Sequence, residues 1–222
     1  MCGRYANSET IPAQAARFKA DPTPDIDKWK PTWNAAPSQR HPVVIQDKTS
    51  RRLGLMAWGW KPDFMNRKML VNARGEEALG KRTFTEAMNR RRCIVPATAF
   101  YEWQERERPP NLPHAFAALD RSLFGIAGLW EPVEIDGKRT GIFLLLTVPA
   151  NATVMPIHHR MAAILTPQNE QLWLDPMTDG RGATGLLKPS PDGTLEVWPV
   201  SMRVNSVRED GEGLLRSVRE QK

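Results

Sequence analysis

The chain has 222 residues, 41% of them hydrophobic and eight of them tryptophan, which is enough to bury a substantial core. Its net charge of +6 favours a polyanionic partner but does not identify one. No apolar run reaches the roughly 18 residues of a membrane span and the polar opening is unlike a signal peptide, so we expect a cytoplasmic protein with no membrane partner. The two cysteines, Cys2 and Cys93, are too few for a disulfide framework or a zinc cluster.

The first part of the chain is predicted to form one helix, a hairpin and a second helix. Ser8 is a suitable N-cap for a helix over residues 9–20. Three prolines between residues 21 and 31 predict a loop. The remaining elements expected here are strands at residues 42–46 and 53–60, joined as a hairpin, a short buried strand at 70–73 and a helix at 76–89.

The rest of the chain is dominated by strand patterns. Residues 105–113 are charged and rich in proline, which predicts an exposed excursion. Asp136 and Gly137 predict a tight turn, and Thr166 followed by Pro167 is typical of a helix start. The expected strands are residues 93–95, 100–103, 115–119, 123–130, 141–148, 161–165 and 195–200.

The predicted strands outnumber the helices, lie close together in sequence and are mostly joined by short turns. This pattern favours the α+β class, with a curved, largely antiparallel β-sheet, a barrel-like core and peripheral helices. The sequence contains no internal repeat or low-complexity linker. We therefore expect a single domain over residues 1–222, ending in a charged tail at about 208–222.

The first residues carry the most reactive pattern in the sequence. Cys2 is small enough for an aminopeptidase to remove Met1, which would leave an α-amine and a thiol on adjacent carbons. With reference pKa values of about 7.7–8.0 and 8.5, a usable fraction of each group is nucleophilic at neutral pH. Such a 1,2-aminothiol converts an aldehyde to a Schiff base and then to a stable thiazolidine. The alternative is that Cys2 is simply the small residue behind the initiator.

Three polar residues lie in apolar surroundings: Asn72, Glu102 and His158. A buried carboxylate has a raised pKa, which makes Glu102 a candidate acid/base, unless strand alternation turns it to solvent. His158 precedes His159, and this adjacency is not the spacing of a metal site. The aromatic and basic segment at residues 58–64 suits either core packing or stacking on single-stranded bases.

Taken together, these features resemble the SOS-response-associated peptidase (SRAP) family, whose members crosslink to abasic sites in single-stranded DNA. The resemblance is collinear from Met1 to about Asn205. The motifs that carry it are Met1-Cys2-Gly3-Arg4, Asn34-Ala35-Ala36-Pro37, Trp58-Gly59-Trp60-Lys61-Pro62, Asn72-Ala73-Arg74-Gly75-Glu76, Arg92-Cys93-Ile94-Val95-Pro96, Phe100-Tyr101-Glu102-Trp103, Ala127-Gly128-Leu129-Trp130-Glu131, Ile157-His158-His159-Arg160-Met161 and Val200-Ser201-Met202-Arg203-Val204-Asn205. Each motif is weak alone, but their order and spacing are specific.

The resemblance implies an active site in which Glu102 shuttles protons, Asn72 positions the amine of Cys2 and His158 assists opening of the sugar. It also implies a set of nucleic-acid-binding residues, with Phe64 and Met65 in the place of wedge residues that stack on a base. That set is Arg4, Asn34, Phe64, Met65, Arg74, Arg82 and Arg160.

The function implied by the resemblance is capture of the ring-opened aldehyde of an abasic site through Cys2, which shields the site during DNA repair in the SOS response. The chemistry is lyase-like, needs no metal or cofactor, and limits any peptidase activity to Met1. The expected partner is single-stranded DNA, with no obligate protein partner, and a bacterial protein would be associated with the nucleoid. Two alternatives remain at this point, a thiol peptidase with Cys2 as nucleophile and a non-catalytic single-stranded nucleic-acid-binding module.

Overall fold

The computed structural model describes residues 2–47, 49–61, 69–135 and 137–218, without the side chains of residues 135, 138 and 139. Strands make up most of the regular structure in this part of the chain. In chain order they are β1 Arg4–Asn7, β2 Ala20–Pro22, β3 Thr32–Ala35, β4 Arg40–Gln46, β5 Arg51–Trp58, β6 Asn72–Arg74, β7 Arg92–Ala97, β8 Ala99–Gln104, β9 Leu112–Ala118, β10 Phe124–Ile135, β11 Lys138–Pro149, β12 Arg160–Ala162, β13 Ile164–Leu165 and β14 Leu195–Pro199. The helices are α1 Ile11–Phe18, α2 Gly75–Ala78, α3 Thr85–Arg90, α4 Pro167–Leu174 and α5 Gly180–Gly185, with 3₁₀ turns at Ile26–Lys28, Met202–Asn205 and Glu212–Leu215.

The larger of two sheets closes into a barrel. Its central strands run in the order β11, β10, β7, β4 and β5, and each neighbouring pair is antiparallel. Strand β5 then pairs in parallel with β11, through Ala57 with Ile142 and Trp58 with Phe143. This pairing closes the ring and leaves its members without an open edge. The predicted α+β fold with a largely antiparallel, barrel-like core is confirmed.

The smaller sheet, in the order β14, β9, β8, β1 and β3, is antiparallel throughout and separates two apolar clusters. Tyr5 and Phe100 belong to the cluster that includes the barrel interior, whereas Ala6 and Tyr101 belong to the cluster on the opposite face. The ring of Tyr5 lies 5.3 Å from that of Trp58, so strand β1 packs directly on the barrel. This packing brings the start of the chain against the barrel.

The aromatic residues of β5 and the segment after it belong to the core. Trp58 is fully buried, its ring stacks 6.2 Å from that of Phe143, and its Nε1 donates a 2.9 Å hydrogen bond to the carbonyl oxygen of Val71. Trp60 is only 6% exposed and meets the ring of Phe84 edge-on. Core packing is therefore the right interpretation of these two tryptophans.

Several turn and cap predictions are confirmed. Strands β4 and β5 form the expected hairpin, and β10 and β11 form a second one at Gly137, whose φ of +71° suits glycine. Helix α4 begins at Pro167, and the side chain of Thr166 accepts a hydrogen bond from the N–H of Asn169, as expected for its N-cap.

The start of the first helix was predicted wrongly. Its N-cap is Thr10, whose hydroxyl accepts a hydrogen bond from the N–H of Ala13, and the helix ends at Phe18 because Lys19 takes a left-handed conformation. Ser8 instead bonds through its hydroxyl to that of Thr98, 3.1 Å away. The predicted loop that follows contains β2 and a 3₁₀ turn as well.

The helix predicted at residues 76–89 is two helices, α2 and α3. Between them the hydroxyl of Thr85 donates to the carbonyls of Leu79 and Lys81, which competes with continuous helical bonding. The strand predicted at 70–73 begins only at Asn72, and α5 was not predicted at all. None of the helices in the described ranges is both long and apolar enough to cross a bilayer.

The segment after β14 covers the outer face of the smaller sheet. Val204 and Leu214 are buried, and the carboxylate of Asp210 accepts hydrogen bonds from the N–H of Trp33 and the hydroxyl of Thr32. These contacts satisfy polar groups of the edge strand β3. Much of the segment predicted as a charged tail therefore packs on the sheet as far as Val218.

Candidate active site

Cys2 lies immediately before β1 and is fully buried against the barrel. Its Sγ lies 3.6 Å from the carbonyl oxygen of Arg4. Burial raises the pKa of the Cys2 thiol far above its ordinary value, and the negative charge of Glu102 raises it further. This direction favours the protonated thiol over the thiolate at neutral pH.

Glu102 is the second buried polar group at this position. It lies on β8 and is only 1% exposed, so the alternative that strand alternation turns it to solvent is excluded. Burial raises the pKa of its carboxyl to about 7, although the positive charge of the N-terminus opposes that rise. A carboxyl that titrates near neutrality both accepts and donates a proton under physiological conditions.

Asn72 holds the backbone of Cys2. Its Nδ2 donates a 2.8 Å hydrogen bond to the carbonyl oxygen of Cys2 from the first position of β6. Its buried Oδ1 has no hydrogen-bond partner among the described residues. An unpaired amide oxygen in the interior carries a free-energy cost unless a donor reaches it, and the amine of Cys2 is a donor of suitable chemistry.

His158 completes the group of residues that the resemblance implied. Its Nδ1 lies 2.9 Å from the backbone nitrogen of Arg160 and 3.1 Å from the carbonyl oxygen of Arg160, so it accepts from the first when unprotonated and donates to the second when protonated. Its ring stacks on that of His159 with centroids 4.5 Å apart. Burial lowers the pKa of His158, and the charge of the N-terminus lowers it further. Glu102 and His158 thus both lie within electrostatic reach of the N-terminus.

Arg4 and Asn34 form a supported pair on the other face of the smaller sheet. Arg4 lies opposite Tyr101 in the β1–β8 register, one position out of phase with Glu102. Its Nε donates to the Oδ1 of Asn34 and its Nη2 to the carbonyl of Asn205, both at 3.1 Å. Asn34 is 2% exposed and also donates to two carbonyls, so it positions Arg4 and has little surface for DNA.

The other predicted nucleic-acid-binding arginines have different surroundings. Arg74 shares a face of β6 with Asn72 and is exposed, with an ion pair of 2.8 Å to Glu77. Arg160 is buried, and its guanidinium makes two bonds to Glu76, at 2.5 and 2.9 Å, and one to the carbonyl of Thr147. This location argues against the predicted role of Arg160 in binding nucleic acid, because its charge is paired with Glu76.

Of the remaining predicted nucleic-acid-binding residues, two fall outside the described part of the chain and one lines a separate cleft. Phe64 and Met65 fall outside the described residues. Arg82 is exposed and lines a cleft that contains none of Cys2, Asn72, Glu102 and His158.

The sequence analysis assigned no role to several residues that pack near Cys2 or hold Arg4 in position. Tyr5 is fully buried, and this burial raises the pKa of its hydroxyl well above its ordinary value. Trp103 donates its Nε1 to the Oδ1 of Asn205, which also offers its carbonyl to Arg4. The Trp103–Asn205 and Arg4–Asn205 bonds join residues about 100 and 200 positions apart, so local pattern could not reveal them.

Fold and site together define a class of proteins that hold a cysteine near the start of the chain against an antiparallel barrel, beside a buried carboxyl and an amide. Residues 1–207 match the family described as SOS response associated peptidase (SRAP). The chain belongs to this family.

Similar proteins span nearly the whole chain. A Bacillus subtilis (strain 168) protein named abasic site processing protein YoqW is 32% identical over 223 residues, covering 98% of this chain and 100% of that protein. The Escherichia coli (strain K12) protein named abasic site processing protein YedK is 26% identical, with coverages of 98% and 100%. A solved structure from Bacteroides thetaiotaomicron superposes with a TM-score of 0.86 at 22% identity, over 98% of this chain and 100% of that one, and shows the same fold.

Proposed function

We propose that this protein captures abasic sites in single-stranded DNA by forming a covalent bond between the ring-opened deoxyribose and an N-terminal Cys2. The observation that carries the proposal is the arrangement at Cys2, whose carbonyl is held by Asn72 at 2.8 Å while a carboxyl with a pKa of about 7 lies buried nearby. The names of the relatives as abasic site processing proteins support the same substrate.

The first bond forms between the α-amine of Cys2 and the C1′ aldehyde. The amine adds to the carbonyl, and loss of water from the resulting carbinolamine gives an imine. The hydroxyl that leaves must be protonated, and Glu102 in its acid form is the donor. The Oδ1 of Asn72 accepts a hydrogen bond from the attacking amine and so fixes its orientation.

The second bond forms between Sγ of Cys2 and the imine carbon. Because burial keeps the thiol protonated, it must lose its proton as the C–S bond forms, and the carboxylate form of Glu102 takes it. The imine nitrogen gains a proton in the same closure, so the balance is aldehyde plus aminothiol giving thiazolidine plus water. The ring of His158, whose pKa is lowered by burial, assists opening of the sugar at its hydroxyl.

The state of the thiol also separates this proposal from a thiol peptidase. A cysteine peptidase attacks through a thiolate, which requires a lowered pKa. The pKa of Cys2 is raised by burial and by Glu102. Amine-first chemistry needs no thiolate, and it therefore suits this site better.

The decisive experiment is a denaturing gel with single-stranded DNA that contains one abasic site. We expect an adduct that survives heating. The matched control is the same DNA after borohydride reduction of the sugar, which removes the aldehyde and must abolish the adduct. Failure to form an adduct with unreduced DNA would leave a non-covalent binding module as the better description.

Blocking the α-amine of Cys2 is expected to abolish the adduct, because an amide nitrogen cannot form an imine. The test uses a leader peptide that ends directly before Cys2 and is removed by a specific protease. The uncleaved protein should give no heat-stable adduct, and cleavage should restore it, with mass spectrometry reporting the exposed N-terminus. Equal adduct before and after cleavage would rule out the amine.

Replacing Arg74 with alanine is expected to weaken DNA binding without changing the chemistry at Cys2. Arg74 is exposed beside Asn72, and its surface ion pair with Glu77 contributes little to stability. Loss of one phosphate contact should lower the salt slope of single-stranded DNA binding by about 0.7. An unchanged slope would assign Arg74 a structural role only.

A further inference from the structure

An open cleft of about 1100 Å³ lies between α3 and α5, next to the end of α4. Its wall contains neither Cys2 nor any other residue proposed for the chemistry. The polar residues on its wall are mainly donors, and they include Gln46, Arg82, Thr85, Asn89, Arg90 and Thr178.

Arg82 and Arg90 line the same wall of the cleft, and neither forms an ion pair with a described residue. Arg90 lowers the pKa of Glu86 only through space, after the direct bond of Glu86 with Arg91. Their neighbour Arg91, in contrast, pairs with Glu86 and Glu131 at 2.6 and 2.8 Å. Arg90 and Arg82 are therefore left to bind an external anion.

The acidic residues of the cleft already have partners within the protein. Glu86 is paired with Arg91, and the carboxylate of Asp179 accepts a 2.7 Å hydrogen bond from the N–H of Gly182 as the N-cap of α5. Because both carboxylates are held in these contacts, they repel an anion in the cleft less than free carboxylates would. The third arginine on the wall, Arg92, donates to five backbone carbonyls and adds fixed positive charge.

The cleft lies within reach of a DNA strand that is bound at Cys2. Asn72 contacts Cys2, Arg74 follows on the same face of β6, and helix α2 leads directly to Gly80 on the wall of the cleft. Gly80 is six positions after Arg74, which limits the distance between them to about 20 Å. At the duplex spacing of about 3.4 Å per phosphate of one strand, roughly six nucleotides span this distance, and a more extended single strand needs fewer.

We infer that this cleft binds the sugar-phosphate backbone of the DNA that flanks the abasic site, with Arg82 and Arg90 contacting successive phosphates. The inference rests on the proposed function, since the strand must be placed at Cys2 for its flank to reach the cleft. It assigns to DNA binding a residue, Arg90, that also lies in the last turn of α3, where a positive charge complements the helix dipole.

The test uses an abasic analogue whose sugar lacks the anomeric hydroxyl and cannot open, so that only non-covalent affinity is measured. Each oligonucleotide carries a flank of about two or about eight nucleotides, lengthened first on one side of the analogue and then on the other. The two flank lengths lie below and above the estimated distance to the cleft. For the wild type, the longer flank should raise the affinity on one side. In Arg90→Gln that gain should shrink, and the salt slope with the long flank should fall by about 0.7. Lys28→Gln, which removes an exposed charge from a 3₁₀ turn outside the cleft, should keep the full gain.

The inference is overturned if Arg90→Gln keeps the wild-type gain on both sides, or if Lys28→Gln loses as much as Arg90→Gln. Thermal unfolding of both variants shows whether the fold is intact, and Arg82→Gln provides a second probe of the same wall. The proposed function has a separate readout. A wild-type protein that fails to form a heat-stable adduct with a true abasic site refutes the capture chemistry, whatever the flank dependence.

Discussion

Replacing Glu102 with glutamine is expected to slow formation of the heat-stable adduct by about 10²- to 10⁴-fold, the range of an acid/base group. Glutamine keeps the shape of the side chain but neither accepts nor donates a proton at neutral pH. Both dehydration of the carbinolamine and ring closure by a protonated thiol depend on that exchange. Single-turnover rates with abasic DNA, measured from pH 5 to about 9 around the carboxyl pKa, give the comparison.

The pH dependence is a second signature of Glu102. The wild-type rate should change around pH 7, where the carboxyl titrates, and the variant should lack that inflection. Asp210→Asn is a matched control, because it removes another carboxylate with hydrogen bonds but on the far face of the smaller sheet. A variant that retains the wild-type rate and inflection would show that Glu102 is not the acid/base.

The same substitution, Glu102→Gln, is expected to make the fold more stable above pH 7 although it slows the reaction. The pKa of Glu102 is raised from 4.5 in the unfolded chain to about 7 in the fold, so the folded protein binds the proton more tightly. Stability is therefore lost as pH rises from about 4.5 through 7, by up to about 3 kcal/mol at 1.36 kcal/mol per pKa unit. Above pH 7 the glutamine variant should unfold at a higher denaturant concentration than the wild type, which a merely structural glutamate would not produce.

The sequence predicted the strands and hairpins well because their apolar runs and turn residues act locally. Helix boundaries were less accurate for a long-range reason. Ser8 and Thr10 are equally good caps in isolation, and the choice falls to Thr10 because Ser8 bonds to Thr98, 90 residues away. The break between α2 and α3 has a local cause instead, since the hydroxyl of Thr85 donates to the carbonyls of Leu79 and Lys81, six and four residues earlier.

The site shows the same division between local and long-range information. Asn72 and Glu102 could be identified from the sequence because burying a polar side chain within an apolar strand costs free energy unless that side chain has a partner or a function. Arg160 was predicted to bind nucleic acid from the resemblance, yet its guanidinium pairs with Glu76, 84 residues earlier in the chain. The burial of Cys2, which decides its protonation, follows from the packing of β1 on the barrel and has no signature in the first residues of the chain.

Replacing Cys2 with alanine is expected to abolish the heat-stable adduct while leaving an imine. The α-amine survives the substitution, so a Schiff base still forms with the abasic aldehyde and is trapped by borohydride. Without the thiol the ring cannot close, and the unreduced imine hydrolyses on heating. The fold should tolerate the change, which removes one buried sulfur at the start of β1 and costs about 1–2 kcal/mol or less.

The same variant should also cleave the DNA that the wild type protects. A protonated imine acidifies the adjacent C2′, and loss of that proton expels the 3′ phosphate by β-elimination, whereas closure to the thiazolidine removes the imine. A paired gel for adduct and strand scission, run with and without borohydride, measures both outcomes. Cys93→Ala, which removes the other buried thiol, from β7, should behave as wild type. If Cys2→Ala forms as much unreduced, heat-stable adduct as the wild type, another nucleophile carries the reaction and the thiazolidine is wrong.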